Sequence, residues 1–267
     1  MESNCPPEFL AQILSRYALP TPTARPHVTL TFAQSLDAKI AGAGGRQLVL
    51  SGKESMIMTH WMRTLHDGIL IGIGTALNDD PQLNARHLPP RATPYALPRP
   101  IVVDSLLRLS PNCKLLKNYQ NGVGRRPWVI CSALENTGSE ISHGLTTSRL
   151  QRKQALETAG AKVFEISTTD TQLPIPSILQ TLRGNGISSV MVEGGAQIIS
   201  SFMQEDVVDA LIVTVAPTMV GEAGIGYGFA GSSPDSVVEF QSLQHVYTGV
   251  FGKDSVVAFC TDGTKGG

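Results

Sequence analysis

The sequence lacks an excess of positive charge, since 21 Lys and Arg residues stand against 22 Asp and Glu residues. A nucleic-acid-binding surface requires a basic excess, so we expect no nucleic acid among its partners. The six histidines show no H-E-x-x-H motif or other metal-ligand spacing. We therefore expect no metal site.

Long apolar runs are also missing. None reaches the roughly 18–20 residues that a membrane-spanning helix needs, so we expect no membrane association. Residues 1–7 carry neither the basic segment nor the apolar segment of a secretion signal. The four cysteines include no C-x-x-C pair, which is typical of reduced thiols. Together these absences predict a cytoplasmic protein.

What the chain does contain is enough apolar sequence for a large core. Of its 267 residues, 42% are hydrophobic and 16% are charged. Helical and strand-like segments alternate, and the last segments are all strand-like. This order predicts an α/β fold with a mainly parallel central sheet, flanking helices and an antiparallel C-terminal edge. We predict an N-terminal helix and proline-rich linker over residues 1–26 and one domain over residues 27–260.

Apolar periodicity places the individual elements. A helix over residues 7–18 has apolar residues on one face, and a helix that starts at Ser51 has a capping-box spacing to Glu54. Further helices are predicted over residues 149–159 and 176–182, and one after Gly195. The predicted strands are residues 27–33, 68–72, 99–105, 128–132, 162–166, 189–192, 209–216, 237–243, 244–251 and 255–260.

One strand runs into a glycine-rich and then acidic segment at residues 72–80. Gly72, Gly74 and Thr75 would leave backbone N–H groups uncovered for a phosphate. Acidic and amide side chains follow at once and can accept hydrogen bonds from sugar hydroxyls; they are Asn78, Asp79 and Asp80. The alternative is an ordinary turn, because Asn, Asp and Pro form turns without any ligand.

A second glycine site follows another buried strand. Glu193 precedes Gly194 and Gly195, and a predicted helix starts immediately afterwards. The start of that helix offers free N–H groups and a positive dipole end to an anion, which predicts a pyrophosphate site. The turn is not a G-x-G-x-x-G fingerprint, and a tight turn without ligand is the alternative. Glu193 is a candidate for binding a hydroxyl or for proton transfer, or else a solvated strand-end carboxylate.

Charged residues elsewhere complete the candidates. Asp37 and Lys39 are two residues apart in an extended segment and would point the same way, although solvated polar pairs are more common. Arg63 and Arg86 bracket the glycine-rich segment, and two arginines can form a fork for a phosphate monoester. Arg63 could instead only complement a helix dipole.

Several of these candidates follow strands. In a parallel sheet the carboxyl ends of the strands meet at one edge, where ligands collect. The segments 72–80 and 193–197, Ser105 and the region of Ser132 come from four separate places in the chain. Their predicted convergence at that edge is the physical argument for one shared cleft.

Four blocks in this order resemble the riboflavin-biosynthesis reductases that act on 2,5-diamino-6-ribosylamino-4(3H)-pyrimidinone 5′-phosphate. The blocks are TFAQSLDAKIA (31–41), GIGTALNDDPQLNAR (72–86), PIVVDS (100–105) and VEGGA (192–196). The resemblance implies a dihydrofolate-reductase-like fold, NADPH as cofactor and a homodimer. It also implies reduction of the substrate's ribosyl group to a ribityl chain.

The resemblance also implies roles for individual residues. The cofactor residues would be Gly72, Gly74, Thr75, Asp79, Ser105, Ile130, Glu193, Gly194, Gly195, Ala196 and Gln197. The substrate residues would be Ser51, Arg63, Leu83 and Arg86. For protonation we name Asp37, Lys39 and Glu193 without an order.

Two departures from the bacterial members are visible. They carry a tryptophan just upstream of the position of Ser51, where this chain has Leu48 and Val49. They also carry a zinc deaminase domain, whose H-x-E and P-C-x-x-C motifs are missing here. A pteridine or dihydrofolate-type reductase on the same fold is the second reading. A nucleotide-binding relative without catalysis is the third.

Overall fold

The structure is a computed structural model that describes residues 4–15, 24–133, 140–168, 172–228 and 243–261. Its helices are α1 (Glu8–Ser15), α2 (Lys53–Thr64), α3 (Ile73–Asp79), α4 (Lys114–Gln120), α5 (Glu140–Thr158), α6 (Ile175–Gly184) and α7 (Ala196–Gln204). Its strands are β1 (His27–Gln34), β2 (Lys39–Ala41), β3 (Gly68–Gly72), β4 (Arg99–Val103), β5 (Trp128–Ser132), β6 (Lys162–Ile166), β7 (Ser189–Gly194), β8 (Ala210–Val215), β9 (Ile225–Gly226), β10 (Leu243–Phe251) and β11 (Asp254–Thr261).

Nine of these strands form one sheet in the order β10-β11-β8-β1-β7-β3-β4-β5-β6. The pairs from β8 to β6 are all parallel. β11 pairs antiparallel with β8, and β10 pairs antiparallel with β11. The predicted mainly parallel sheet with an antiparallel C-terminal edge is therefore confirmed.

The central strands are apolar throughout because both faces of the sheet are covered. In β3, Ile69 and Ile71 belong to the core on one face, and Leu70 belongs to the core on the other. Alternate side chains of a strand point to opposite faces, which explains how one run serves both cores. Phe202 of α7 is fully buried in the second core, and this packing holds α7 against the sheet.

The N-terminal helix packs against the edge of the sheet. Phe9 stacks on Tyr247 of β10 with the ring centroids 4.2 Å apart. The helix shares a core with the sheet instead of forming a separate unit. After the helix, Arg25 binds Asp209 through two hydrogen bonds, and Asp209 also accepts one from the Val28 N–H.

Some elements differ from the prediction. β5 and β6 have the predicted bounds, whereas α5 begins nine residues before the predicted helix at 149. Short elements were missed, namely α4 and the pairing of β2 with β9. The predicted strand 237–243 lies, except for Leu243, outside the described residues.

The start of α2 has a different cap from the one predicted. Gly52 is the N-cap residue, and no side chain of the same segment caps the helix. The carboxylate of Asp254, at the start of β11, instead accepts hydrogen bonds from the Gly52 N–H (2.6 Å) and the Ser55 hydroxyl. The predicted box from Ser51 to Glu54 is therefore wrong, because a fully buried carboxylate from a distant strand occupies that place.

This distant cap gives the first prediction. Replacing Asp254 with alanine should lower the free energy of unfolding by about 1–2 kcal/mol, since the helix loses its cap and the Ser55 hydroxyl loses its acceptor. Asp254→Asn keeps an acceptor oxygen and should retain most of the stability. Urea unfolding of both variants checks this. Equal midpoints for wild type and Asp254→Ala would mean that the cap contributes nothing.

Candidate functional site

A cavity of about 910 Å³ lies at the carboxyl ends of the central strands. Its walls include Ala33 at the end of β1, Gly72 at the end of β3, Val103 at the end of β4 and Glu193 near the end of β7. These strands are adjacent and parallel, so their ends open at the same edge of the sheet. The predicted convergence on one cleft is therefore confirmed for the ends of β3, β4 and β7, whereas Ser132 at the end of β5 does not line the cavity.

The two glycine sites meet in the middle of this cavity. The Gly195 N–H donates a hydrogen bond of 2.9 Å to the Thr75 hydroxyl oxygen. Gly195 is the N-cap residue of α7, and the first bond within that helix runs from the Ile199 N–H to the Gly195 carbonyl. The N–H groups of Ala196, Gln197 and Ile198 have no partner inside the helix. All three residues line the cavity, so the helix start is open to an anion.

Of the three glycines at this place, two pack against neighbouring side chains and Gly74 leaves open space beside the backbone. A Cβ on Gly195 would stand 2.9 Å from the Thr75 hydroxyl oxygen, which leaves no room for a side chain. A Cβ on Gly72 would stand 2.8 Å from Ile198, whereas one on Gly74 would have no atom within 4 Å. The donors and the open face at Gly74 are the chemistry that a pyrophosphate needs. The site therefore fits the pyrophosphate of a dinucleotide.

The segment 72–80 is not the open loop or turn that the sequence indicates. Residues Ile73–Asp79 form the short helix α3, and Asp80 ends it in the left-handed conformation with φ of 40°. Asn78 and Asp79 line the cavity, and burial raises the pKa of Asp79. Asp80 instead accepts a hydrogen bond of 2.8 Å from the Lys114 N–H at the start of α4.

Glu193 is held by an arginine at the rim of the cavity. Arg63 of α2 donates from Nε to Glu193 Oε1 at 2.8 Å and from Nη2 to Oε2 at 2.9 Å. Arg63 Nη1 donates to the Asn84 carbonyl at 3.0 Å. The two side chains are only 13% and 17% exposed. The bidentate pair fixes both carboxylate oxygens, so Glu193 is an oriented hydrogen-bond acceptor.

The two arginines predicted as a phosphate fork therefore have unequal surroundings. Neither arginine lines the cavity, and Arg63 is occupied by Glu193 and Asn84. The exposed side chain of Arg86 has no carboxylate within salt-bridge distance among the described residues. Partial desolvation and the Arg63 charge lower the pKa of Arg86, so the two guanidinium groups are close enough to interact. A phosphate would relieve that repulsion.

Asp37 and Lys39 lie away from the cavity lining. The Asp37 carboxylate accepts hydrogen bonds from the Ser35 hydroxyl (2.6 Å), the Val220 N–H (3.1 Å) and the Gly221 N–H (2.7 Å). These bonds lower the pKa of Asp37 to about 2, with the largest contribution from Ser35. Asp37 thus holds a turn, and Lys39 pairs with Gly226 in the two-stranded sheet.

Some of the other predicted site residues line the cavity, and some do not. Those that line the cavity are Ser51, Gly72, Gly74, Thr75, Asp79, Ser105, Glu193, Gly195, Ala196 and Gln197. Ile130 and Leu83 do not line the cavity, and they are 0% and 2% exposed inside the core. Gly194 does not line the cavity but has the left-handed φ of 103° that lets β7 turn into α7.

Sequence reasoning missed the residues that loops bring to the cavity. Leu48 and Val49, named only as a departure, line it, as do the loop residues Arg108 and Gln172. Met56 of α2 was also missed and lines the cavity. No local pattern marks loop residues of this kind. In the part of the chain that the structure describes, no helix is long and apolar enough to cross a membrane. The same residues include no group of three or more His, Cys, Asp or Glu side chains able to hold a metal ion.

Comparison with known proteins agrees with this geometry. Residues 26–251 match the RibD C-terminal domain family. The 2,5-diamino-6-ribosylamino-4(3H)-pyrimidinone 5′-phosphate reductase of Candida glabrata is 37% identical over 221 residues, which cover 80% of this chain and 82% of that protein. The protein of the same name from Eremothecium gossypii is 36% identical over 247 residues, with 89% and 90% covered.

Solved structures share the fold. The Saccharomyces cerevisiae riboflavin biosynthesis reductase Rib7 has a TM-score of 0.68 and 27% identity, and the match covers 95% of this chain and 99% of that one. Acinetobacter baumannii RibD has a TM-score of 0.70 at 24% identity, with 90% of this chain and 59% of that chain covered. The second likeness shows the fold alone. With a family match that spans most of its length, this chain belongs to the RibD C-terminal domain family.

Proposed function

We propose that this chain reduces the ribosyl group of 2,5-diamino-6-ribosylamino-4(3H)-pyrimidinone 5′-phosphate to a ribityl group, with NADPH as the reductant. The observation that carries the proposal is the meeting of Thr75 and Gly195 at the cavity, beside the oriented Glu193. Relatives over 30% identical along most of both chains bear the name of this reductase.

Different parts of the cavity would bind different parts of the cofactor. The start of α7 and the backbone at Gly72 and Gly74 would hold the pyrophosphate of the cofactor. Phe32, Ile40 and Met56 give the cavity an apolar wall on the side of β1 and α2, where a nicotinamide ring can lie. When bound, the reduced cofactor supplies a hydride, and the protein aligns it with the sugar carbon.

Glu193 and Arg86 would act on the substrate. Because Arg63 holds both oxygens of Glu193, the carboxylate can accept a hydrogen bond from a sugar hydroxyl and so orient the C1′ carbon of the opened sugar. Arg86 lies outside the cavity lining but close to Arg63, which holds Glu193, and there it would bind the 5′-phosphate. That carbon gains the hydride and the neighbouring nitrogen gains a proton. Asp37 and Lys39 do not line the cavity, so Glu193 is the one of the three predicted proton donors that lies at the site.

A direct assay separates the three readings. We expect NADPH oxidation with the ribosylaminopyrimidine phosphate, in its deaminated or non-deaminated form, and none with dihydrofolate. A pteridine or dihydrofolate-type reductase would give the reverse result. Cofactor binding without turnover of any of these substrates would indicate a nucleotide-binding relative.

The phosphate site can be tested through Arg86. Replacing it with alanine should raise KM for the phosphorylated substrate about tenfold or more, because a charge-assisted phosphate contact is lost. The dephosphorylated substrate should react equally with wild type and variant, which serves as the internal control. An equal loss with both substrates would assign Arg86 to another role.

The proposal also includes the oligomeric state of the protein and its location in the cell. We infer a homodimer, for which β10 is the edge strand at the C-terminal end of the chain, since β8 lies inside the sheet between β11 and β1. Analytical ultracentrifugation tests this state. The described cysteines are all free, which fits the reducing environment of the cytoplasm.

A further inference from the structure

The cavity wall on the side of α2 begins directly before that helix. Leu50 and Ser51 line the cavity, Gly52 is the N-cap residue of α2, and Met56 in the first turn lines the cavity again. The Met56 N–H donates a hydrogen bond of 3.0 Å to the Gly52 carbonyl. Gly52 thus connects the two lining segments, and its position sets the position of this part of the wall.

The same helix carries the side chain that orients Glu193. Arg63 lies in the last turn of α2 and binds both oxygens of that carboxylate. A displacement of α2 would therefore move Ser51 and Met56 near its start and the partner of Glu193 near its end. The placement of this one helix affects several groups at the site.

The start of α2 is attached to the C-terminal hairpin of β10 and β11. Asp254 is the first residue of β11, and its neighbour Ser255 pairs with Val215 at the carboxyl end of β8. The Asp254 Oδ2 atom accepts hydrogen bonds from the Gly52 N–H at 2.6 Å and from the Ser55 hydroxyl. Its Oδ1 atom is buried and has no hydrogen-bond partner among the described residues. One acceptor atom therefore makes both bonds.

The hairpin turn and the start of α2 are in close contact. A Cβ on Gly52 would stand 3.3 Å from Asp254 Oδ2 and 3.3 Å from Lys253 Cγ. Gly252 has a left-handed φ of 62°, and a Cβ on it would overlap with the Glu54 carboxylate of α2. Asp254 itself is fully buried. Because the contact is this close, a change at Asp254 is transmitted to α2.

We propose that Asp254 is a positioning residue for the reaction, which acts through Gly52 and Ser55 to hold the wall at residues 50–56 where the substrate meets the cofactor. The inference rests on the proposed function, because that function places the nicotinamide and the sugar beside this wall. Asp254 does not line the cavity, so it acts through α2 and not by contact with a ligand. Hydride transfer needs two aligned carbons, and a misplacement of about 1 Å can cost a factor of about a hundred in rate.

The kinetic test compares two variants of Asp254. Asp254→Ala should lower kcat/KM for the ribosylaminopyrimidine phosphate about tenfold, because the wall is no longer held in place. The Kd of NADPH should stay within about threefold of wild type, because the pyrophosphate site at α7 and β3 is not attached to the hairpin. Asp254→Asn should restore kcat/KM to within about threefold of wild type, because its amide oxygen can replace the one acceptor atom in use.

A control separates positioning from a general loss of stability. Asp209→Ala removes the acceptor of Arg25 and of the Val28 N–H at the amino end of the parallel strands, away from the cavity. Both alanine variants should lower the urea midpoint of unfolding. Only Asp254→Ala should lower kcat/KM, and circular dichroism at the assay temperature checks that each variant is folded.

Hydrogen exchange tests the attachment without any substrate. In the free protein, mass spectrometry should show amide exchange over residues 51–58 at least about fivefold faster in Asp254→Ala than in wild type, because the Gly52 N–H has lost its acceptor. Asp254→Asn and Asp209→Ala should exchange there like wild type. Ser55→Ala removes the second bond alone, so it should give a smaller increase and add nothing to Asp254→Ala.

Four results would overturn the positioning role. They are a wild-type kcat/KM in Asp254→Ala, an equal loss in Asp209→Ala, no recovery in Asp254→Asn, and unchanged exchange over residues 51–58 in Asp254→Ala. In each of these cases wild type still turns over the substrate, so the proposed function stands. If wild type oxidises no NADPH with the substrate, the proposed function fails and the positioning role fails with it.

Discussion

Glu193→Ala will lower kcat/KM for the ribosylaminopyrimidine phosphate by between about ten- and a hundredfold. Glu193 is the acidic side chain that the structure places at the cavity with both oxygens oriented by Arg63. A hydrogen bond to a charged group contributes about 1.5–3 kcal/mol, and each 1.4 kcal/mol corresponds to a factor of ten in rate. Steady-state kinetics with saturating NADPH measure the loss.

The same substitution will also destabilise the fold, so the two effects have to be separated. Removal of one partner from a buried ion pair leaves an uncompensated charge and costs about 3 kcal/mol or more. The double variant Arg63→Ala with Glu193→Ala should regain part of that stability, because neither charge is then left alone. Its activity should stay low if Glu193 acts on the substrate.

Glu193→Gln is the matched control that separates the charge of this side chain from its shape. It keeps the length of the side chain and one acceptor oxygen but loses the charge that pairs with Arg63. We expect intermediate activity and a smaller loss of stability. Wild-type kinetics in both Glu193 variants would contradict the role of this carboxylate, whatever their stability.

The architecture could be predicted from the sequence, because a strand that is buried on both faces of the sheet appears as a short apolar run. β5 and β6 are short apolar runs, and their predicted bounds agree with the structure. The meeting of Thr75 with Gly195 was also predictable, since both follow strands that a parallel sheet opens at one edge. Strand order and direction thus carry much of the information about where a site lies.

Contacts between distant segments could not be predicted in this way. The cap of α2 comes from Asp254, which lies 202 residues from Gly52 in the chain. The partner of Arg63 is Glu193, 130 residues away, whereas the sequence indicated only a dipole or a phosphate. Segment 73–79 is helical although glycine and Asn-Asp residues favour turns, because Ile73 and Ala76 pack into the core. Tertiary packing outweighs local preference there.

Acid will destabilise this protein from about pH 6.5 downwards, because buried histidines must gain protons on unfolding. Burial is the largest cause that lowers the pKa of His66 from 6.5 to about 4 and that of His60 from 6.5 to about 3. The Arg63 and Arg86 charges lower the pKa of His60 further. Both rings are almost fully buried, with 5% and 3% exposed.

Their surroundings explain why the neutral form is preferred. The two ring nitrogens of His66 lie 2.7 Å from the Met62 carbonyl and 2.8 Å from the Thr29 hydroxyl. The Met62 carbonyl raises the pKa of His66, but burial outweighs it and the pKa stays low. His60 Nδ1 accepts a hydrogen bond of 3.0 Å from the Arg86 N–H, which a proton on that nitrogen would break. Protonation in the fold is therefore unfavourable at both sites.

The sign of the effect follows from these lowered pKa values. Below pH 6.5 the unfolded chain binds protons that the folded chain does not, so the free energy of unfolding falls as the pH falls. Each histidine contributes about 1.4 kcal/mol per pH unit, until the pH reaches about 4 for His66 and about 3 for His60. The pKa of His27 is also lowered by burial, and it acts in the same direction.

Three carboxyl groups also have shifted pKa values, but they do not add to the loss of stability between pH 6.5 and about 5. Burial raises the pKa of Asp79 and Asp104, so these groups take up protons in the folded chain first and stabilise it as the pH falls. The lowered pKa of Asp37, about 2, adds to acid destabilisation only below its ordinary value of 3.8. The histidines therefore dominate between pH 6.5 and about 5.

Urea unfolding at pH 7.5, 6.5, 5.5 and 5.0 measures the slope, and variants assign it. His60→Asn keeps an acceptor for the Arg86 N–H but cannot titrate, so the slope should become shallower by about 1.4 kcal/mol per pH unit. His245→Asn is the matched control, because this ring is exposed on β10 and should leave the slope as it is. A wild-type free energy that stays constant from pH 7.5 to 5.0 would show that folding does not lower the pKa of these rings, and a His60→Asn slope equal to that of wild type would show the same for His60.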